Sequence, residues 1–488
     1  MQRPIQVMKF GGTSVGDPPA IRRAGELVSQ AAREGPVVTV VSAMSGVTNS
    51  LVAAMRRAEA GDEAAPGELA AALARTHSSA IEVLIPDEAR RAKLLAEAKE
   101  LIAQAEHWCR GVALLKELTP RAVDAISGIG ERLSVRIFAA TLGEAGVPAA
   151  AVEATELIVT DNAHMQALPL MDQTRQKTRE RLLPMLERGG VPVVTGFIGA
   201  TSEGVPTTLG RGGSDFTATI LGACLDAEKV IIWTDVDGVL TADPRLVPDA
   251  AFLPAVSYNE AAELAHYGAK VLHSKTLRPV APRGIPVWIR NSFAPEKPGT
   301  RIGPAGPSAP RGVRAITAIR DVSLVNIGGP GIVGIPDLAA KTFAATAGVG
   351  ANLLLITQSS AQNDMCFVVQ TSDTAHAVAA VRKALAYDLR HHDLEHITVN
   401  PGIAIVAVVG EQMRGTVGVA GRVFSILASE GINIIAIAQG SSENNISFVV
   451  EEAAVQKAVT AIHRDLGLAK LGPAAKVQDP GAQTKGEA

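Results

Sequence analysis

The chain has 488 residues, of which 47% are hydrophobic, and this length allows about three domains with substantial apolar cores. The formal net charge of -3, without a long run of like charges, argues against nucleic acid or an anionic membrane as a partner. Three cysteines without CxxC spacing support neither a disulfide framework nor a zinc knuckle. Neither a signal-type segment nor a membrane-spanning apolar run is found, so we expect a cytoplasmic protein.

Between Ile5 and about Arg301, short β-rich runs alternate with alanine-rich helical stretches. Runs such as 37–43 and 191–199 are almost continuously apolar, which is typical of strands buried on both faces of a parallel sheet. The stretch from Gly61 to about Leu118 has helical spacing and predicts helices that cover the sheet. We therefore predict an α/β fold with a mainly parallel sheet between layers of helices.

The first apolar run ends in the glycine-rich stretch KFGGTS. Gly11 and Gly12 allow the backbone to turn sharply and to present N–H groups to a ligand, and Thr13 and Ser14 add hydroxyl donors. This composition suits an oxyanion such as phosphate. Lys9 precedes the glycines, so the stretch is not a Walker A loop, and a simple tight turn with a surface lysine is an alternative.

A second glycine-rich stretch, TLGRGGSDF, runs into a predicted helix. Ser214 and Asp215 are good N-cap residues, and the helix N-terminus together with Arg211 favours an anion. The guanidinium group of Arg211 offers a bidentate fork that suits a carboxylate. Asp215 as a cap alone is the alternative interpretation.

A third cluster follows the apolar strand in KVIIWTD. Thr234 and Asp235 are placed at the carboxyl edge of the predicted sheet, where open α/β sheets bind ligands. Asp237 and Asp243 are either turn residues or metal ligands, and ordinary turns are favoured. The more economical hypothesis is a nucleotide loop with Arg245 near the phosphates.

Two further helix ends carry candidate residues. Lys270 follows a helix that stops at Gly268, from where its side chain could reach back to the nucleotide site. His266 and His273 resemble a metal pair, but without a third ligand we favour capping or packing roles. Glu131 at a predicted helix start either favours the helix dipole or binds an ammonium group.

The second part of the chain contains an internal repeat. Residues Asn352 to Val369 match Asn433 to Val450 without a gap, and the match extends backwards over a helix that ends in glycine. Each copy predicts a βαββ unit that a further helix and strand complete, as in ferredoxin-like domains.

The boundaries follow from this division. We predict a catalytic domain over residues 1–303, first and second copies of the repeat at 313–395 and 396–470, and a disordered tail at 471–488. The first copy is open to completion by C-terminal residues. A proline- and glycine-rich linker is predicted over 294–312.

The motifs KFGGTSVGD, VSAMSGVTN, GERLS, GFIGAT, TLGRGGSDFTA, WTDVDGVLTADPR and YGAKVLH, in this order, together closely resemble the aspartate kinases of the amino-acid-kinase superfamily. The repeat resembles their paired ACT domains. The resemblance runs from Val7 to about Gly467 and implies a three-layer αβα sandwich followed by two βαββαβ domains. It also implies phosphorylation of the side-chain carboxylate of L-aspartate by MgATP, giving 4-phospho-L-aspartate, the first step towards lysine, threonine, methionine and isoleucine.

The resemblance further implies roles for individual residues. Lys9 would stabilise the transferred phosphoryl group and Asp215 would organise the site, as the two catalytic residues. Glu131 is expected on the α-ammonium and Arg211 on the α-carboxylate of aspartate. The other substrate positions are Thr48, Phe197 and Ser214; the ATP positions are Lys9, Gly11, Gly12, Thr13, Thr234, Asp235, Leu240, Arg245, Lys270 and Val271; and the effector positions are Ile332, Asp337, Asn352, Gln358, Asn433 and Gln439.

One position departs from the family pattern. Leu240 stands where tyrosine is common, so a hydroxyl or stacking contact to the nucleotide would be missing while an apolar adenine contact survives. Mg²⁺ would be carried by ATP rather than by a metal site of the protein. Threonine or lysine is the expected effector, and a homo-oligomer, dimer or tetramer, is expected through the ACT domains.

Two alternatives stay open. A glutamate or acetylglutamate kinase would lack the paired ACT repeat. A non-catalytic amino-acid sensor would tolerate loss of Lys9, Arg211 or Asp215, and all three are present. A nicotinamide-binding GxGxxG unit does not follow the repeat, so we expect no fused homoserine dehydrogenase.

Overall fold

The structure, a computed structural model, describes residues 3–268, 272–304, 312–329, 335–358, 364–391, 394–413, 415–440 and 443–471. These residues form two compact units. The first unit contains residues 3–239, 254–258 and 272–304, and the second unit contains 240–253, 259–268 and the described residues from 312 onwards. Among the helices of the described ranges, none is long and apolar enough to cross a membrane. The predicted tail, apart from residue 471, lies outside the described residues.

The elements up to residue 304 alternate as the sequence predicts. In chain order they are β1 (Gln6–Phe10), α1 (Pro18–Glu34), β2 (Val37–Val41), α2 (Val47–Glu59), α3 (Ala65–Leu84), α4 (Glu88–Leu115), α5 (Pro120–Ser127), α6 (Ile129–Glu144), β3 (Ala149–Val152), β4 (Val159–Thr160), α7 (Met171–Glu187), β5 (Val191–Thr195), β6 (Ile198–Thr201), β7 (Pro206–Thr208), α8 (Gly213–Cys224), β8 (Lys229–Thr234), β9 (Val239–Leu240), β10 (Phe252–Leu253), β11 (Ala255–Ser257), α9 (Tyr258–His266), β12 (Val287–Asn291) and β13 (Thr300–Gly303).

An eight-stranded sheet forms the centre of the first unit, as far as its residues are described, in the order β11-β13-β12-β8-β1-β2-β5-β3. Its neighbouring strands run parallel, except that β12 and β13 are antiparallel. Strands such as β1, β2 and β5 are buried along their whole length, as expected for a sheet with both faces covered. The predicted mainly parallel α/β fold is confirmed.

Helices cover both faces of this sheet. Met8 and Phe10 lie in a core with side chains of α1 to α4 and α6, whereas α8 packs on β1 and β8. Because side chains alternate along a strand, Lys9 points away from the first core and towards α8. The helical cover predicted for 61–118 is confirmed by α3 and α4.

Strand β13 lies within the stretch 294–312 that the sequence predicts as a linker. It pairs with β11 and β12, and Ile302 is 1% exposed. That part of the prediction is wrong because Gly299, with φ 74°, turns the chain back into the sheet and lets the short strand TRIG follow, in which Ile302 is the apolar residue. Residues 305–311 lie outside the described residues.

The elements after residue 312 repeat one pattern. They are β14 (Ala315–Gly328), α10 (Ile335–Gly348), β15 (Leu355–Gln358), β16 (Asp364–Gln370), α11 (Thr371–Ala384), α12 (Ala386–Arg390), β17 (His396–Val409), α13 (Val419–Ser429), β18 (Ala436–Ala438), β19 (Asn445–Glu451) and α14 (Val455–Asp465). Within the described ranges, an antiparallel six-stranded sheet has the order β15-β16-β14-β17-β19-β18. The predicted pair of βαββαβ copies is confirmed.

The long strands β14 and β17 each serve both copies. Residues 322–328 pair with β16 of the first copy, whereas residues 315–319 pair with 405–409 of the second copy. A register irregularity in this pairing and left-handed backbone at Asp321 and Gly402 mark the crossover. The first copy is therefore continuous in the chain and ends with residues 396–400, whereas the second copy takes its last strand from residues 315–319, which precede the first copy. The domain boundaries themselves stay a prediction.

The segment 240–253 is part of the second unit. Ala242 and Val247 lie in the same core as apolar residues of α14. The hydroxyl of Thr241 forms a hydrogen bond of 2.9 Å with Nε2 of His463, and burial lowers the pKa of that histidine. Although it follows the central strand β8 closely in sequence, this segment packs as a component of the second ACT-like copy.

Candidate active site

A buried lysine and a carboxylate pair at the carboxyl edge of the central sheet. Lys9 is 8% exposed, and its Nζ lies 2.5 Å from Oδ1 of Asp215 in the first turn of α8. A buried ion pair gains little net stability, because desolvation offsets most of the attraction. The pair is better explained as a cation held ready for a ligand. The structure thus brings together the two predicted catalytic residues.

The glycines after β1 leave little space for a side chain at one of the two positions. A Cβ at Gly12 would lie 3.2 Å from the carbonyl oxygen of Ala43, and one at Gly11 would lie 3.4 Å from Nζ of Lys9. A side chain at Gly12 would therefore press on the backbone after β2, whereas one at Gly11 would only touch the end of the lysine side chain. Thr13 is exposed at the start of a short 3-10 turn, so the predicted oxyanion loop leaves its backbone beside the lysine open to a ligand.

The hydroxyl of Ser14 has a different role from the one expected. It forms a hydrogen bond of 2.8 Å with the hydroxyl of Ser292, and Ser14 is 1% exposed. Ser292 in turn donates to the carbonyl oxygen of Thr234. Ser14 therefore supports the loop from beneath, and the expectation of a free donor there is wrong.

Glu131 is a buried carboxyl group without a complete set of partners. It lies in the first turn of α6 and is 3% exposed, with Oε2 lacking a hydrogen-bond partner within the described part of the chain. Burial raises its pKa to about 8, although the backbone N–H of Ala43 partly offsets this. Gly130 allows the approach, since a Cβ there would lie 2.8 Å from Cβ of Ala43. An unsatisfied buried carboxyl group is costly and indicates a ligand that carries a positive charge.

The loop before α8 presents Arg211. Gly210 and Gly212 have φ angles of 71° and 69°, which favour glycine and turn the chain sharply on both sides of the arginine. The helix begins at Gly213 with Gly212 as its N-cap. Arg211 is exposed and makes no ion pair within the described ranges, so its guanidinium is open to an anion.

The same loop corrects the capping prediction and contacts the turn after β5. Ser214 and Asp215 lie inside the first turn of α8 rather than at the cap, because Gly212 turns the chain into the helix earlier. Phe197 has φ 69°, and a Cβ at Gly213 would lie 2.7 Å from its ring. Ser214 packs equally closely on Gly196. Two predicted substrate positions, Phe197 and Ser214, therefore lie on adjoining segments.

The remaining first-unit positions follow strands of the same edge. Thr48 lies in the first turn of α2, which starts after the left-handed Gly46. Thr234 ends β8 and Asp235 follows it. The N–H of Gly11 donates to the carbonyl oxygen of Trp233 at 3.2 Å, so the predicted nucleotide positions after β8 lie next to the loop after β1.

Two ATP positions belong to the second unit. Leu240 ends β9, and the exposed guanidinium of Arg245 pairs with Asp243 at 2.5 Å, which lowers the pKa of that carboxyl group. Lys270 and Val271 lie outside the described residues.

Two residues considered as metal ligands, Asp237 and His273, have protein partners instead. Asp237 accepts from Asn291 and pairs with Lys297 at 2.6 Å, so it serves as a turn and ion-pair residue. His273 caps a short helix by accepting from the N–H of Lys275, which confirms the capping interpretation. A cluster of three or more His, Cys, Asp or Glu that could hold a metal ion is not present among the described residues.

The predicted effector positions lie at corresponding places in the two ACT-like copies. Asn352 precedes β15 and Gln358 is its last residue, whereas Asn433 precedes β18 and Gln439 follows it; all four are exposed. Asp337 in α10 pairs with Lys341 at 2.7 Å. Ile332 lies outside the described residues.

Sequence reasoning missed one buried acid, Asp124. Its side chain in α5 is 0% exposed and accepts hydrogen bonds from three residues that follow β4 or end β7. It belongs to none of the motifs, and a single aspartate in a short helix has the pattern of a solvated polar residue, so the sequence offered no signal.

Comparison with known families agrees with this geometry. The amino acid kinase family matches residues 4–291, and the ACT domain matches 325–385 and 406–466. The bifunctional aspartokinase/homoserine dehydrogenase 1 of Arabidopsis thaliana is 34% identical over 97% of this chain but 52% of its own length. The chain thus spans about half the length of such relatives. Aspartokinase 1 of the same plant is 33% identical over 94% of this chain and 79% of its own length.

Solved structures show the same relationship. Aspartokinase III of E. coli in complex with aspartate and ADP superposes with a TM-score of 0.80 at 30% identity, covering 95% of this chain and all of that chain. The same enzyme with lysine and aspartate has a TM-score of 0.76 at 31% identity, covering 95% and 99%. By its catalytic fold, its paired ACT domains and these relatives, the chain belongs to the aspartokinases of the amino acid kinase family.

Proposed function

We propose that this chain is an aspartate kinase that transfers the γ-phosphoryl group of MgATP to the side-chain carboxylate of L-aspartate, giving 4-phospho-L-aspartate and ADP. The observation that carries the proposal is the buried pair of Lys9 and Asp215 beside the glycine loop after β1. The aspartate and ADP bound to the E. coli relative support the choice of substrates. The reaction would be the first step towards lysine, threonine, methionine and isoleucine.

Phosphoryl transfer asks the protein mainly for positioning and charge neutralisation. A carboxylate oxygen of aspartate attacks the γ-phosphorus while the bond to the β,γ-bridging oxygen breaks and ADP leaves. The ammonium of Lys9 would neutralise charge on the γ-phosphoryl oxygens, and Asp215 holds that ammonium in place. Mg²⁺ enters with ATP as part of the substrate. The acceptor is already ionised at neutral pH, so a general base is not needed.

The two charged groups on the α-carbon of aspartate would each bind a side chain of opposite charge. Oε2 of Glu131, which has no hydrogen-bond partner among the described residues, would accept a hydrogen bond from the α-ammonium. The guanidinium of Arg211, which pairs with no acid in the part of the chain that the structure describes, would bind the α-carboxylate in a bidentate manner. Thr48, Phe197 and Ser214 would complete the subsite. Glutamate is longer by one methylene. With its α-ammonium and α-carboxylate bound in the same way, its side-chain carboxylate would lie at a different distance from the γ-phosphorus.

The ATP positions keep the roles that the resemblance implies. The backbone of Gly11, Gly12 and Thr13 would contact phosphate oxygens, since it is open beside the lysine. Thr234 and Asp235 follow β8 at the same edge. The four remaining residues assigned to ATP binding by the resemblance are Leu240, Arg245, Lys270 and Val271.

We also propose feedback regulation by an amino acid at the ACT copies. A threonine or lysine effector would bind through Ile332, Asp337, Asn352 and Gln358, with Asn433 and Gln439 from the second copy. The lysine complex of the E. coli relative supports lysine. Inhibition requires different effector affinities for two states of the enzyme. A dimer or tetramer through the ACT domains and a cytoplasmic location also stay predictions.

A hydroxamate assay tests the catalytic proposal. Purified protein with MgATP, hydroxylamine and either L-aspartate or L-glutamate should trap an acyl phosphate with aspartate only. Lys9→Ala is the matched inactive control, and chelation of Mg²⁺ should abolish the product. Product with glutamate alone would favour the other acyl-phosphate kinases, and no product with either substrate would favour an amino-acid sensor.

A further inference from the structure

The fully buried carboxylate of Asp124 connects three segments of the first unit. Its side chain is 0% exposed. It accepts from Nδ1 of His164 at 2.7 Å, from the backbone N–H of Met165 at 3.0 Å and from the hydroxyl of Thr208 at 2.6 Å. A buried carboxylate with several donors is well held, and removal of its charge leaves those donors without a partner.

The first two donors, His164 and Met165, lie in the loop between β4 and α7. Hydrogen bonds within the loop hold its conformation. Oδ1 of Asp161 accepts from the N–H groups of Ala163 and Leu168, and Met165 adopts φ 69°. The carbonyl oxygen of Met165 lies only 2.8 Å from where a Cβ of Gly210 would stand. The loop that Asp124 holds therefore packs directly against the backbone beside Arg211.

The third donor acts on the same segment from the other side. Thr208 is the last residue of β7 and is followed by Leu209 and Gly210. The carbonyl oxygen of Leu209 accepts a short hydrogen bond from Nζ of Lys275. The approach to Arg211 is thus fixed at Thr208, at Leu209 and at Gly210, and two of these three restraints depend on Asp124.

Asp124 is also close in the chain to Glu131. Its carbonyl oxygen accepts from the N–H of Gly128 at 3.3 Å, where α5 ends and α6 begins. A Cβ at Gly128 would lie 2.8 Å from the side chain of Ile198, so this junction has little freedom to move. The helix that carries Glu131 therefore begins directly after Gly128, whose N–H is bonded to Asp124, the residue whose side chain holds the loop beside Arg211.

We propose that Asp124 is a positioning residue that sets the separation of Glu131 and Arg211, and with it the recognition of the amino-acid substrate. This proposal rests on the proposed function, in which these two side chains bind the α-ammonium and the α-carboxylate. His164 and Thr208 are the partners through which it acts. ATP recognition does not depend on this network.

Kinetics with matched variants test the role. Asp124→Asn keeps the shape and removes the charge, and Thr208→Val removes only the hydroxyl. We expect each to raise the KM for aspartate about tenfold, with the KM for ATP changed less than about twofold. Thr208→Ser and His164→Asn retain a hydrogen-bond donor, so the KM for aspartate should stay at the wild-type value in both. His164→Leu removes the donor and should raise the KM for aspartate.

Hydrogen exchange gives a readout that is independent of activity. We expect faster exchange of the amides of residues 209–213 in Asp124→Asn and Thr208→Val, and wild-type exchange in Thr208→Ser. If the wild-type protein makes no acyl phosphate from aspartate, the proposed function fails, and exchange alone then decides whether Asp124 positions the Arg211 loop. Equal changes in both KM values, or unchanged exchange at 209–213, would overturn the proposal. If Asp124→Asn does not fold, the Thr208 and His164 pairs decide the question.

Discussion

Two candidate site groups of the first unit, Lys9 and Glu131, are buried, whereas the four candidate effector amides of the second unit are exposed. Lys9 and Glu131 are 8% and 3% exposed. Asn352 and Asn433 are open to solvent at corresponding places in the two ACT copies. Both sets were assigned from the same kind of sequence match, but only the buried set carries an independent physical signal.

The difference lies in the cost of burial. A buried carboxyl group with one oxygen unpaired, as at Glu131, lowers stability and persists in a protein where activity needs it. An exposed amide is hydrated and costs nothing, so its geometry does not distinguish a binding role from a solvated surface. Substitutions should therefore affect catalysis and stability in the first unit, and regulation alone in the second.

The largest expected effect is on the rate after loss of the phosphoryl-binding cation. Lys9→Ala should lower kcat by about two to three powers of ten, because a preorganised charge at the transferred group is removed. Steady-state kinetics at saturating MgATP and aspartate measure it. Lys9→Arg is the control that keeps the positive charge but changes the shape of the side chain. A kcat within threefold of wild type in Lys9→Ala would contradict the assignment.

Arg211→Ala should lower kcat/KM for aspartate by roughly one to three powers of ten, as expected for loss of a charged bidentate contact. The kinetics with varied ATP should change far less. Arg211→Lys retains the charge but loses the bidentate guanidinium group, so its kcat/KM for aspartate should lie between the values of the wild type and Arg211→Ala. An unchanged dependence on aspartate would exclude the α-carboxylate role.

The pKa of about 8 at Glu131 predicts that aspartate binds more weakly as the pH falls. The free site holds a proton below about pH 8, and the ammonium of aspartate requires the ionised carboxylate. The KM for aspartate should therefore rise by up to about tenfold per pH unit below 8. Glu131→Gln should bind weakly at every pH, so a steep pH profile in that variant would assign the titration to another group.

The same group predicts the pH dependence of stability. The unfolded chain releases this proton near pH 4.5, while the folded chain retains it to about pH 8. Between these values the folded state binds more protons, so its stability falls as the pH rises. Glu131→Gln should raise the Tm at pH 8 and leave it unchanged at pH 4.5, as thermal unfolding in the absence of aspartate can show. Equal shifts at both pH values would argue against a titrating carboxyl group.

The smallest effect is expected from the exposed amides. Asn433→Ala should change the free energy of unfolding by less than about 0.5 kcal/mol, while the concentration of lysine or threonine needed for half inhibition rises up to about tenfold. Inhibition curves at fixed substrate concentrations measure this, with Asn352→Ala as the matched variant in the first copy. Inhibition at wild-type concentrations in both variants would remove these positions from the effector site.

The order of strands and helices and the repeat were predictable because they depend on local patterns. Continuous apolar runs predicted the parallel strands, and the match of 352–369 to 433–450 predicted two similar folds. The failures are equally instructive. Strand β13 was hidden in a proline- and glycine-rich stretch, and the helix start at Gly213 depended on the left-handed conformation of Gly212 rather than on a capping side chain.

The sequence by itself determined the family, the loops that bear the candidate site residues and the duplication of the ACT copies, since motif, spacing and periodicity are local properties. Only the tertiary structure decided the pairing of Lys9 with Asp215, the burial that raises the pKa of Glu131, the buried network of Asp124, and the completion of the second copy by residues 315–319. Each of these depends on contacts between residues far apart in the chain, and a buried charge acquires its energy from neighbours that only folding brings to it.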